Sequence, residues 1–131
     1  VVGILINQNK KPMFTLEERV AIIKEVTKDM DNIEVKAFSG LVVEFAKEEG
    51  ASVLIRGIRN STDFEYELQM AQINQDIDDQ IDTLFFATNP KFSYISSSAV
   101  KELFMFHQKI DQYVPEYVVR KLEEKEKSDE Q

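Results

Sequence analysis

Two guanidinium groups flank a glycine in Arg56-Gly57-Ile58-Arg59. Guanidiniums are fixed, forked donors suited to carboxylate and phosphate, and glycine lets a backbone come close to a ligand. The tetrapeptide can therefore clamp an anion. The competing reading is that both arginines pair with Asp63, Glu65 or Glu67 just downstream, as surface ion pairs of small stabilising value. A second cationic turn, Lys10-Lys11 held by Pro12, offers two ammonium groups to a phosphate, against the alternative of a solvated basic turn. In Phe92-Ser93-Tyr94-Ile95-Ser96-Ser97-Ser98 aromatic residues lead into three serines, whose hydroxyls and amides at a helix start can receive phosphate. A single serine N-cap would explain one of them, and three exceed what capping requires.

The other chemically capable residues point elsewhere. The carboxylates of Asp63-Phe64-Glu65-Tyr66-Glu67 suit the positive end of a helix dipole. His107, the one histidine, falls near a helix end and carries no catalytic expectation. There is no His, Asp and Glu set at transition-metal spacing and no Walker-type loop, so no protein metal site is expected.

The elements that must position these residues alternate. Val1 to Asn7 is a continuous apolar run, as in a strand buried on both faces. Thr15-Leu16-Glu17-Glu18 opens a helix by a capping box, running to about Asp29 with Leu16, Val20, Ile23 and Val26 on one stripe. Ile33 to Phe38 reads as a strand, Leu41 to Glu49 as a helix closed by a left-handed Gly50, and Ser52 to Ile55 as a short strand that ends just before Arg56. Thr62 and Glu65 predict a second capping box before a helix through about Asp76, followed by a strand from Ile81 to Ala87. Ser96 to Ser98 open a helix to roughly Gln108, Pro115 begins a last one, and the Glu-Lys-rich end from Glu123 to Gln131 is expected to fray. Strands alternating with helices predict right-handed crossovers and a parallel sheet with helices on both faces. The fold class is α/β and Rossmann-like, and ligands then bind beyond the carboxyl ends of the strands, where the cationic turns and the serine run fall.

Composition bounds the rest. A chain of 131 residues that is 43% hydrophobic has room for one domain and one core. The absence of cysteine excludes a disulfide framework and fits a reducing compartment, with cytoplasm the default expectation. The apolar runs fall short of a membrane span, and a formal net charge of -8 disfavours polyanions, so neither membrane nor nucleic acid is an expected partner.

Taken in order, Lys-Lys-Pro-Met-Phe-Thr-Leu-Glu-Glu-Arg at 10–19, Phe-Ser-Gly-Leu at 38–41, Arg-Gly-Ile-Arg at 56–59, Asp-Phe-Glu-Tyr-Glu at 63–67 and Ile-Ser-Ser-Ser at 95–98 resemble bacterial phosphopantetheine adenylyltransferases. Each segment alone is weak; all of them in this order and spacing, across almost the whole chain, are specific. The resemblance implies transfer of the adenylyl group of ATP to 4'-phosphopantetheine, giving dephospho-coenzyme A and pyrophosphate. It implies that Lys10 contacts phosphate at the reacting centre, that Arg56 binds the phosphopantetheine phosphate, and that Val42 lies along the pantetheine arm. It places Gly57, Ile58, Arg59 and Glu67 among ATP-binding positions, with Phe92, Ser93, Tyr94, Ile95, Ser96, Ser97 and Ser98 in the loop and helix start that hold adenine and phosphates. Lys10 and Arg59 are the catalytic residues it leaves in this chain. Phe92 stands where a tryptophan is common, which keeps an aromatic face and loses an indole N–H. Magnesium bound with ATP, a homohexamer and feedback binding of coenzyme A are further implications.

The sequence departs from the family upstream. The family opens with a strand, a Gly-x-Phe-Asp-Pro segment and a Gly-His pair whose histidine stabilises the transition state, and Val1 begins after all of these. His107 lies outside the matching motifs and cannot replace it. A chain ending at Val1 would lack a central strand and is expected to be unstable alone. Two other readings stand beside the leading one: a nucleotide-binding or oligomerising module without turnover, and a different acceptor such as nicotinate mononucleotide or glycerol phosphate.

Overall fold

A computed structural model describes residues 1–6 and 12–129. Its elements follow the order β1 (Val2–Leu5), α1 (Leu16–Val26), β2 (Val35–Phe38), α2 (Val42–Glu48), β3 (Val53–Ile58), α3 (Ser61–Ile77), β4 (Asp82–Ala87), a 3-10 turn (Pro90–Phe92), α4 (Ser97–Met105) and α5 (Glu116–Asp129). The strand–helix alternation is the one expected. The chain divides into two compact units, Val1–Ala37 with Ile95–Gln131, and Phe38–Tyr94.

In the first unit β1 pairs with β2, and the Val2 N–H donates to the Glu34 carbonyl at 2.7 Å. The start of α1 forms the expected capping box: Thr15 Oγ1 accepts from the Glu18 N–H at 3.2 Å, and Glu18 Oε2 accepts from the Thr15 N–H at 2.7 Å. Glu18 also receives Lys125 from α5 at 3.1 Å, which ties these two helices together. The Thr15 N–H first, and then Lys125, hold its carboxyl below the usual range. Val100, Ile110 and Leu122 form the unit's core, with Phe14, Leu103 and Val119 packed around them. The helix α5 runs through Glu123 to Asp129, with an i,i+3 pair between Lys121 and Glu124 at 2.6 Å.

In the second unit β3 and β4 run parallel, in register from Val53↔Asp82 to Ile58↔Ala87. The strand is longer than its apolar run suggested. Pairing continues past Ile55 because main-chain groups, not side chains, carry a ladder, and the Thr88 N–H still finds the Ile58 carbonyl at 2.9 Å. Arg56, Gly57 and Ile58 are therefore the end of β3 and only Arg59 follows it. Val43, Ala46 and Ile81 form the core with Leu54 against them, and Phe64 of α3 meets Phe85 edge-on at 5.6 Å. The alternate residues Val53, Ile55, Leu84 and Phe86 share the opposite face and stay 39–69% exposed.

Two helix ends in this unit show how local chemistry sets boundaries. Gly50 closes α2 at φ +66°, its N–H bonded to the Lys47 carbonyl and that of Ala51 to the Ala46 carbonyl, a Schellman closure. The capping box expected from Thr62 and Glu65 does not form. Asn60 caps α3 instead, its Oδ1 accepting from the Asp63 N–H at 2.9 Å, so Thr62 lies inside the first turn. Asn is as good a cap as Thr and comes first in the chain, so the helix starts earlier.

Candidate active site

Strand alternation puts Arg56 on the same side of β3 as Leu54 and Ile58, away from the exposed face of Ile55. Its guanidinium meets Glu67 of α3 in a fork: Nε donates to Oε2 at 2.7 Å and Nη2 to Oε1 at 2.6 Å. Arg59, one residue past the strand, makes the same kind of fork with Asp63, Nε to Oδ2 at 2.9 Å and Nη2 to Oδ1 at 3.2 Å. Its backbone N–H also donates to Asp63 Oδ2 at 3.2 Å. Asp63 and Glu67 are one turn apart on α3, so a single ridge of that helix serves both arginines. Glu65, two residues from each, lies on another side.

The two readings of this tetrapeptide are thus compatible. Each fork occupies the Nε edge of a guanidinium, and a planar guanidinium has a second, end-on edge formed by Nη1 and Nη2. At Arg56 a phosphate can be received there while Glu67 stays in place. Arg56 remains 54% exposed at its side chain although Glu67 is only 14% exposed, which suits a group anchored at one edge and open at the other. Hydrogen bonding to Glu67 raises the Arg56 pKa against an opposing effect of burial, and bonding to Asp63 raises that of Arg59. Bonding to Arg59 in turn lowers the Asp63 pKa. Arg56, Arg59 and Asp63 thus hold their charges at neutral pH.

The other expected residues fall as follows. Val42 is the first residue of α2 and half-buried, and Ile58 is the half-buried last residue of β3. Phe92 ends the 3-10 turn and is 48% exposed, and Lys91 Nζ stands 4.7 Å from its ring centroid. That lysine escaped sequence reasoning, although its place in Asn-Pro-Lys-Phe was a usable signal. Ser93 Oγ donates to the Pro90 carbonyl at 2.9 Å, which gives it a turn-forming role, and Tyr94 is 68% exposed. Ile95, Ser96, Ser97 and Ser98 belong to the first unit. There Ser96 caps α4, its Oγ accepting from the Ala99 N–H at 3.1 Å, while Ser97 and Ser98 are exposed at the helix start and not used as the cap. Lys10 lies outside the described residues.

Comparison with known proteins decides the family. Residues 1–103 match the cytidylyltransferase-like family model. A phosphopantetheine adenylyltransferase of Lachnoclostridium phytofermentans is 50% identical over 125 residues, covering 95% of this chain and 77% of the relative. Those of Clostridium perfringens and Caldanaerobacter subterraneus subsp. tengcongensis are each 46% identical over 95% of this chain, which covers 76% and 78% of them. The chain belongs to the phosphopantetheine adenylyltransferase family. It is therefore a nucleotidyltransferase with the Rossmann-like α/β fold of that family, and the arginine-bearing end of β3 is where such a fold binds ligands.

Among the described residues no three His, Asp or Glu side chains are grouped so as to hold a metal ion. Among them, too, no helix is long and apolar enough to cross a membrane.

Proposed function

We propose that this enzyme transfers the adenylyl group of ATP to the phosphate of 4'-phosphopantetheine, reversibly, giving dephospho-coenzyme A and pyrophosphate. The observation that carries this reading is the Arg56–Gly57–Ile58–Arg59 clamp in a chain 50% identical to a phosphopantetheine adenylyltransferase. An acceptor phosphate oxygen attacks the α-phosphorus, a new P–O bond forms, and the bond to the pyrophosphate oxygen breaks. No bond to the protein is made, so catalysis consists of alignment and of charge stabilisation at the pentacoordinate phosphorus.

Each residue has a part in that alignment. Arg56 receives the acceptor phosphate on its end-on edge, and Val42 lies along the apolar arm. Gly57 and Ile58 bring backbone close to the nucleotide. Arg59 and Lys10 offset the negative charge that spreads over the phosphate oxygens in the transition state. Phe92 and Tyr94 offer exposed aromatic faces to adenine, and Ser97 and Ser98, free of the capping duty that Ser96 fulfils, offer hydroxyls to the phosphates. Magnesium would supply further charge neutralisation as the counter-ion of ATP, held through phosphate oxygens and water, because Asp63 and Glu67 are engaged by the arginines. A homohexamer and feedback binding of coenzyme A in the same crevice rest on the family resemblance, and a cytoplasmic location on the cysteine-free composition.

The test is product formation from ATP and magnesium with 4'-phosphopantetheine, nicotinate mononucleotide or glycerol 3-phosphate in parallel, read by chromatography. Dephospho-coenzyme A from the first acceptor alone is expected. A product from either of the others instead would refute the acceptor, and ATP binding without any product would favour a non-catalytic module.

A further inference from the structure

Asp63 and Glu67 do more at this site than neutralise charge. Both present their two oxygens in plane to the Nε edge of an arginine, and both do so from one ridge of α3. An arginine side chain is otherwise long and rotatable, and a fork at its Nε edge fixes where the opposite edge points. Asp63 is itself fixed: its main-chain N–H is held by the Asn60 cap and its carboxylate also receives the Arg59 main-chain N–H. Glu67 is the least exposed side chain of the four.

We infer that Asp63 and Glu67 are positioning residues, through which α3 sets the aim of both arginines: Glu67 acts through Arg56 on the acceptor phosphate, and Asp63 acts through Arg59 on the nucleotide. The assignment rests on the proposed function and sharpens it. The resemblance puts Glu67 among ATP-binding positions, whereas its geometry makes it a support of the acceptor side. The carboxylates carry negative charge beside an anion site, so simple electrostatics would have their removal strengthen anion binding. Positioning predicts the opposite sign. Glutamine at 67 keeps the length but presents an amide N–H to a guanidinium N–H, which breaks the fork.

The experiment is steady-state kinetics on Glu67→Gln, Asp63→Asn, Arg56→Ala and the Arg56→Ala/Glu67→Gln double variant, with KM for each substrate separately. E67Q should raise the KM for 4'-phosphopantetheine about tenfold and leave that for ATP within about twofold. D63N should show the reverse pattern. On the Arg56→Ala background E67Q should add nothing. A lower acceptor KM in E67Q, an effect confined to ATP, or an undiminished effect without Arg56 would overturn the inference. If another acceptor proves to be the substrate, the proposed function fails while the same cycle run on that acceptor still decides this one. A measurement independent of turnover is the Arg56 Nε–H resonance, which the 2.7 Å bond to Glu67 should make slow to exchange in the parent protein; a slow resonance there that is lost in E67Q supports the fork, and its absence in the parent protein or its persistence in E67Q contradicts it.

Discussion

Replacing Arg56 with lysine keeps the charge and removes the geometry. In the parent protein one guanidinium edge makes two bonds to Glu67, at 2.7 and 2.6 Å, and in the proposed function the other edge receives phosphate. An ammonium is a point charge on a flexible stem, so the substituted lysine would either pair with Glu67 or turn to the ligand, without a fork to either. The loss to the acceptor is about one charge-assisted hydrogen bond, roughly 1.5–3 kcal/mol where solvent is excluded. With the Arg56 side chain 54% exposed, screening reduces this to about 1–2 kcal/mol. That corresponds to a rise of about 5- to 30-fold in the KM for 4'-phosphopantetheine, since each 1.4 kcal/mol is about tenfold. Initial rates at saturating ATP and varied acceptor would show it, with kcat changed little because the reacting α-phosphorus is held by other groups. An unchanged acceptor KM would refute the claim that Arg56 binds through its shape as well as its charge.

Other substitutions separate structural from ligand-binding roles. Ser96→Ala should cost about 1 kcal/mol of stability through loss of the α4 cap, whereas Ser97→Ala and Ser98→Ala should unfold in denaturant with the parent protein and bind ATP more weakly in calorimetry. Gly50→Ala should cost about 1 kcal/mol at φ +66°, and since a Cβ there meets nothing within 4 Å, the cost is purely conformational. His107→Gly should have the opposite sign, gaining about 0.5–1 kcal/mol, because His107 holds φ 54° in a Schellman closure of α4; a denaturant midpoint that falls would contradict this. The Asp63 carboxyl, lowered by its bond to Arg59, adds stability that is complete above the unfolded value of about 3.9 and is lost as pH falls through the folded value. Carbon NMR should place its titration midpoint below that of free aspartate, and Asp63→Asn should flatten the acid limb of stability.

Local rules carried much of the fold. The capping box at Thr15 and Glu18 and the left-handed Gly50 formed where single-turn chemistry required them. Where two local solutions competed, the sequence was ambiguous: Asn60 and Thr62 are both good caps, and the earlier one begins α3. The end of β3 was hidden because Arg56 interrupts the apolar run, while strand pairing depends on main-chain groups that any residue supplies. The helical state of the Glu123 end was hidden in a similar way, since its charges support a helix only when spaced in i,i+3 pairs and met by a neighbour such as Glu18. At the site, residue types were legible and partners were not. Arg59 and Asp63 are within helical reach of each other, but Arg56 and Glu67 meet only because α3 packs on β3.

The central claim is adenylyl transfer to a pantetheine phosphate, and the fate of the α-phosphorus tests it most directly. The protein would be incubated with magnesium, 4'-phosphopantetheine and ATP carrying label in the α-phosphate or, in a parallel sample, in the γ-phosphate. The account predicts that the α-label appears in dephospho-coenzyme A and the γ-label in pyrophosphate. Label from the γ-phosphate in the pantetheine product, or release of the α-label only as AMP, would contradict it.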